Sequence, residues 1–157
     1  MTDHQWKPNV TVAAIVERDG HFLLVEEEAD GAVLVNQPAG HLEYGETLLD
    51  AVRREVREET GHEFEPQALV GVYLYPNPRV DIVYLRFSFA GSARAPAGDA
   101  VLDDGIIRTL WLNREETGAL GERLRSDMVT RCIDDYLAGR RYSLEMLHHI
   151  NMDNLTA

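Results

Sequence analysis

From Thr47 to Gly61 the sequence spells out one helix with both of its ends, and it sets three glutamates along the flank that must pack. Thr47 followed by Asp50 fits a capping box, and Gly61 stands where a left-handed C-terminal cap belongs. At about 100° per residue, with Val52 at zero, Leu48 falls near −40°, Val56 near +40° and Leu49 near +60°. These four define a stripe that some other layer has to cover. Asp50, Arg53 and Arg57 fall on the opposite side and face solvent. Glu58, Glu55 and Glu59 fall at roughly 240°, 300° and 340°. Glu59 is therefore expected at the edge of the core, and Glu58 is expected to lean towards solvent.

Two readings of these carboxylates compete. A charge run is ordinarily a solvated face. Yet like charges at i,i+4 repel by a few tenths of a kcal/mol even when exposed, and a carboxylate on a half-buried flank costs more unless it is paired. A hard divalent cation, Mg²⁺ or Mn²⁺, answers both objections because oxygen ligands suit it. Arg54 lies beside Glu55 and reaches Glu58 at i,i+4, so it too can hold a carboxylate in place. On the wheel alone the two readings stand level.

The rest of the chain supplies the layers. Val10 to Glu17 reads as a strand, Asp19-Gly20 as a hairpin turn, and His21 to Glu27 as the returning strand. Ala29-Asp30-Gly31 marks a second turn before the apolar run Ala32 to Val35. Asn36 to Glu46, with Pro38, Gly40 and Gly45, is predicted to be loop. Strands are predicted at Leu69 to Tyr75 and Val80 to Ala90, parted by Pro76-Asn77-Pro78, then a long mobile loop over Gly91 to Gly105 and a last strand at Arg108 to Leu112. Ser126 to Ala138 is predicted helical, with Met128, Val129, Cys132, Ile133, Tyr136 and Leu137 on the apolar face. Strands interleaved with helices, and no linker, predict one α/β (α+β) domain over residues 1–157.

Charge sharpens the question of ligand. With 27 acidic against 15 basic residues the formal charge is −12, which excludes the Lys/Arg-driven binding of nucleic-acid polymers. An anionic small substrate would need a local reversal of sign, which a bound cation supplies. No apolar run is long enough for a membrane span, and the polar Met1 to Pro8 carries no signal-peptide pattern. One cysteine, Cys132, allows no internal disulfide, so a reducing, cytoplasmic setting is expected.

Gly40 to His62 resembles the Nudix box, G-x5-E-x7-R-E-U-x-E-E-x-G-U, where U is aliphatic. Gly40, Glu46, Arg54, Glu55, Val56, Glu58, Glu59 and Gly61 all match, and only His62 departs. The resemblance implies an α/β/α sandwich with a mixed sheet, the box forming loop–helix–loop, and Mg²⁺- or Mn²⁺-dependent hydrolysis of a phosphoanhydride. It implies that Glu55, Glu58, Glu59 and the Gly40 carbonyl hold metal. It also implies that Glu55 is the general base, that Arg54 orients it, and that Glu46 and Gly61 support the motif. For Glu46, a helix N-terminal acid favoured by the dipole is an equal reading.

Asn36 to Glu43, Lys7 to Val12 and Tyr142 to Met146 are similar to the NudJ-type phosphatase branch of that family. That branch removes phosphate from nucleoside di- and triphosphates and acts on a thiamin-precursor pyrophosphate. The implied partner is a small nucleotide or pyrophosphate, on a monomer or homodimer. Substrates of the ADP-ribose, sugar-nucleotide or oxidised-nucleotide kind, and a non-catalytic nucleotide-sensing module, are the alternatives.

Weaker candidates lie outside the box. Gln37, His41 and Tyr44 flank the loop and are candidate substrate contacts, with turn stabilisation as the plainer role. Tyr44, Tyr73 and Tyr84 could stack on a base but are favoured as packing. Asp103 and Asp104 are candidate late-loop acids, with solvated aspartates the favoured reading. Arg79 and Arg86 suit phosphate but have no place assigned by sequence.

Overall fold

The computed structural model describes residues 5–155. Met1 to His4 and the last two residues lie outside it, and with them part of the expected N-terminal segment and the ends of the 1–157 span.

Two four-stranded sheets carry the described residues. The first runs β5 (Ala39–His41), β1 (Asn9–Ile15), β7 (Ile82–Arg94), β6 (Glu63–Asn77). It is mixed, because β1 and β7 pair in parallel while its other pairs are antiparallel. In the second, β3 (His21–Ala29) pairs antiparallel with β2 (Glu17–Arg18), β4 (Ala32–Asn36) and β8 (Ile106–Asn113). The helices are α1 (Leu48–Thr60), α2 (Arg114–Ala119) and α3 (Met128–Leu137).

Strand alternation builds two cores. Val12, Ala14, Leu23, Leu69 and Phe89 pack with Val52 and Val56 of α1. Ile15, Phe22, Leu24, Val70 and Ala90 pack with Val129, Cys132 and Ile133 of α3. Successive residues of one strand point to opposite faces, so the neighbours Leu69 and Val70 serve different helices. Val12 to Val16 is buried throughout, as suits a central parallel strand covered on both sides. This is the expected α/β/α sandwich.

Both predicted turns form, with Asp19 and Asp30 at positive φ (51° and 54°), each followed by a glycine in the same region. The Thr47 side chain accepts from the Asp50 N–H, and Gly61 caps α1 at φ 72°. Asp50 completes the cap with its carboxylate, which accepts the Thr47 hydroxyl at 2.7 Å.

Four expectations need correction. The stretch Asn36 to Glu46 is not all loop, because Ala39–His41 pairs with Thr11–Ala13 of β1 as β5. The second hairpin extends well beyond Leu69–Tyr75 and Val80–Ala90, with the register running from Glu63↔Arg94 to Asn77↔Ile82. The expected mobile loop is therefore shorter, and it is tied back to α1 where the Asp103 N–H donates to the Glu58 carbonyl (2.9 Å). On α3, Leu137 is 55% exposed while Asp135 is buried. Arg131, Arg140 and the Tyr73 hydroxyl surround the Asp135 carboxylate and make its burial tolerable. The helix α2 is an addition to the expected elements, although Asn113 and Glu116 form a reciprocal capping box that is legible in the chain.

Candidate active site

Helix α1 buries Glu55 and Glu59 and leaves Glu58 half-exposed, as the wheel required. The three carboxylates are held in different ways. Arg54 Nη1 donates to Glu55 Oε1 at 2.8 Å and to Glu58 Oε2 at 3.0 Å. The other side of the same guanidinium grips both oxygens of Glu46, Nε to Oε2 at 3.0 Å and Nη2 to Oε1 at 2.7 Å, and Nη2 also donates to the His41 carbonyl. A two-point fork of this kind fixes orientation as well as charge. Glu46 thus anchors Arg54, and Arg54 aims Glu55. Glu59 points the other way and accepts the Ala39 N–H at 2.9 Å.

Backbone approach explains Gly40. A Cβ built there would fall within the Glu55 carboxyl group, so only glycine lets β5 lie against that side chain. Gly61 is constrained twice, by its left-handed φ and by Ala100 from the late loop, whose Cβ occupies the space a side chain would need. His62, the one departure from the box, is buried edge-on to Trp111, with ring centroids 6.2 Å apart. Its Nδ1 lies 3.0 Å from the Thr60 carbonyl, so the imidazole fills the apolar position with its polar atom satisfied.

Electrostatics single out Glu59. Burial pushes its carboxyl up to about 9, against the lowering effect of the Ala39 N–H, and the charges of Glu55, Glu27 and Asp103 push further. Glu55 is also raised, first by burial, with Arg54 opposing and Glu58 and Asp103 adding to it. Glu46 is lowered, since Arg54 and the Glu43 N–H outweigh its burial. Counting Glu43 at 3.7 Å, four carboxylates surround the single Arg54 guanidinium. Arg54 holds these four and the Ala39 N–H holds Glu59, and among the described residues no three acidic, His or Cys side chains gather as one metal-binding group.

A cleft of about 160 Å³ opens beside the box, lined by Gly40, His41, Glu27, Asn36, Thr11, Tyr75, Tyr84, Arg86 and Arg125 among others. Of the sequence candidates, His41, Tyr84 and Arg86 reach it. Gln37 lies buried behind it and bonds to Arg86. Tyr44 is 75% exposed and outside the lining, so the structure does not bring it to the cleft. Tyr73 is committed to Asp135, and Arg79 to Asn77 and the Glu122 carbonyl. Asp103, expected as a solvated loop acid, has a charge that acts on both Glu55 and Glu59. Glu27, Asn36, Thr11 and Arg125 are cleft residues that sequence reasoning does not single out. Glu27 is one of three successive acids, Glu26 to Glu28, and nothing local says that a bulge at Glu26/Glu27 sends it alone to the cleft.

Comparison with known proteins agrees with this fold. The family model for the NUDIX domain matches residues 6–131. The chain is 40% identical over 146 residues to Phosphatase NudJ of Escherichia coli (strain K12), covering 93% of this chain and 94% of that one. Among solved structures, a NUDIX hydrolase from Nitrosomonas europaea is 46% identical with a TM-score of 0.88, over 91% of this chain and 97% of the other. A MutT NUDIX hydrolase from Burkholderia pseudomallei shares the fold at 22% identity and a TM-score of 0.70, over 83% of this chain and 98% of its own.

Proposed function

The chain belongs to the Nudix family of hydrolases, and on that premise we propose that it removes phosphate from nucleoside di- and triphosphates or related pyrophosphates with the help of Mg²⁺ or Mn²⁺. The observation that carries this reading is the contact of the Gly40 backbone with a buried Glu55, beside a buried Glu59.

The donors suit a hard divalent cation. They are all oxygen, and around Arg54 beside them four carboxylates outnumber one guanidinium. Burial pushes the Glu59 carboxyl up to about 9, so near neutral pH it holds a proton that a cation would displace. Glu55, Glu58, Glu59 and the Gly40 carbonyl would hold it. When bound, such an ion neutralises phosphate charge and acidifies a coordinated water.

The chain's own groups do the rest. Glu55 takes a proton from the attacking water on a carboxylate oxygen. Its burial raises its basicity, and general-base catalysis of this kind is worth about 10²–10⁴-fold. Arg54 holds that carboxylate through Oε1, and Glu46 holds Arg54. Gly61 lets the helix end where the late loop can close over it. His41 and Tyr84 wall the cleft next to the phosphates, with Gln37 acting behind them through Arg86.

The reading takes residues 1–157 as one catalytic domain, acting in the cytoplasm as a monomer or homodimer. Among the described residues no helix is long and apolar enough to cross a membrane. The test is a panel of nucleotides and pyrophosphates, with and without chelator, with products identified by mass spectrometry. Turnover that persists unchanged in excess chelator would overturn the metal-dependent reading.

A further inference from the structure

Four buried side-chain polar atoms lack a hydrogen-bond partner among the described residues: Thr11 Oγ1, Gln37 Nε2, Arg86 Nε and Ser126 Oγ. Native proteins leave few such atoms, and each calls for an explanation. Here all four fall in one place. Thr11, Arg86 and Ser126 line the cleft beside the box, and Gln37 is bonded to Arg86.

Arg86 is the centre of the group. It is 5% exposed, its one hydrogen bond is a 3.4 Å contact to Gln37 Oε1, and among the described residues no carboxylate comes within ion-pair distance of it. An unpaired buried guanidinium is costly. The nearby Cys132 does not offset it, since burial raises that thiol's pKa and keeps it protonated. Helix α3 begins at the same wall, through Ser126 and Met128. Its N-cap residue, Asp127, makes no side-chain cap bond, and its first turn holds no acidic residue. The Val129 N–H turns back to the Ser126 carbonyl at 3.2 Å, and the remaining first-turn N–H groups, uncapped by any side chain, add donors to this wall. Arg125 contributes a second cation, held at 3.5 Å by Glu27, which also lines the cleft, and at 3.9 Å by Asp30.

We propose that Arg86, Thr11, Gln37, Ser126 and the start of α3 form a subsite for phosphoryl oxygens, built by the chain itself and separate from the box carboxylates. The inference rests on the phosphoanhydride reading above for its biological ligand, but not for its chemistry. The subsite is rich in donors and carries a buried positive charge, so it wants an anionic group with many acceptors. A neutral base edge would leave the guanidinium uncompensated. Gly40 lines the cleft and touches Glu55, so a phosphate held here is adjacent to the reacting end of the site. Substrate choice would then depend on the length and charge of the phosphate chain more than on the base.

The test is calorimetric titration of the full chain, in excess chelator, with inorganic tripolyphosphate and separately with uridine. Wild type is expected to bind tripolyphosphate. Arg86→Gln should weaken that binding at least about ten-fold, Arg86→Lys should weaken it less, and neither should change the response to uridine. Ligand-free Arg86→Gln should melt no lower than wild type, because an unpaired buried charge is gone, whereas a purely structural arginine would leave the variant less stable. If Arg86→Gln does not fold, Ser126→Ala decides: a several-fold loss for tripolyphosphate at unchanged melting temperature is the expected result, and unchanged affinity overturns the proposal. No tripolyphosphate binding by wild type, or a loss confined to uridine, also overturns it. Orthophosphate that displaces tripolyphosphate assigns the subsite to released phosphate as well; failure to displace confines it to a phosphate chain. Absence of turnover on every phosphoanhydride would defeat the hydrolase reading and leave this titration standing.

Discussion

Arg54, bonded to the carbonyl of the cleft residue His41, and Arg86, which lines the cleft, stand in opposite company. Arg54 is ringed by Glu43, Glu46, Glu55 and Glu58, while Arg86 is buried with a single long bond to Gln37. Around Arg54 negative charge is in excess, and the surplus calls for a cation. Around Arg86 a positive charge and spare donors are in excess, and the surplus calls for an anion. A metal–phosphate substrate is both at once, so each region carries the charge that the other half of the ligand neutralises.

Four experiments probe this comparison. The largest effect is expected from Glu55→Gln. Losing the base should lower kcat about 10³-fold with Mg²⁺ present, and near wild-type turnover would remove Glu55 from its role. Next is Gly40→Ala, whose new Cβ collides with the Glu55 carboxyl. Displacing that carboxylate should lower kcat about 10²-fold while the melting temperature moves by only a few degrees; an unaffected rate would show that the close approach is not needed.

Arg54→Met strips the guanidinium from the acidic side. Urea unfolding in chelator should show a loss of about 2 kcal/mol, since Glu55 is left buried and unpaired. Mg²⁺ should restore more stability to the variant than to wild type, and equal restoration would break the charge argument.

The fourth experiment reads pH through Glu59. Its folded-state value of about 9 exceeds the usual 4.5, so the folded chain holds a proton that the unfolded chain releases. The contribution of Glu59 to the stability of the metal-free protein should therefore be full below about 4.5 and fall as pH rises towards 9. Glu59→Gln should flatten that decline in thermal melts, and a variant that declines as steeply as wild type would place the proton elsewhere.

Much of the acidic side is legible in the amino-acid sequence. The turn of an α-helix relates residues three and four apart whatever the rest of the chain does, so Glu59 at the core's edge and Glu58 towards solvent follow from spacing. The same holds for the Thr47 cap, the Gly61 cap and the two Asp-Gly turns, each a contest among a few neighbouring atoms. Leu137 shows where local reasoning fails. Helical spacing extends the apolar face of α3 one residue too far, because two of the three partners that let Asp135 be buried, Tyr73 and Arg140, are not on that helix.

The cationic side is not legible in that way. Thr11, Gln37, Arg86 and Ser126 come from β1, the start of the box loop, β7 and the approach to α3. They meet only because β1 pairs with β7 in parallel and with β5 in antiparallel register. Pairing across a sheet depends on which strands become neighbours, which no stretch of sequence encodes locally. The sequence alone determined a helix with three poised carboxylates and the class of reaction they suit. Tertiary structure decided what stands opposite them, because a buried arginine is recognised as unpaired only once its surroundings are known.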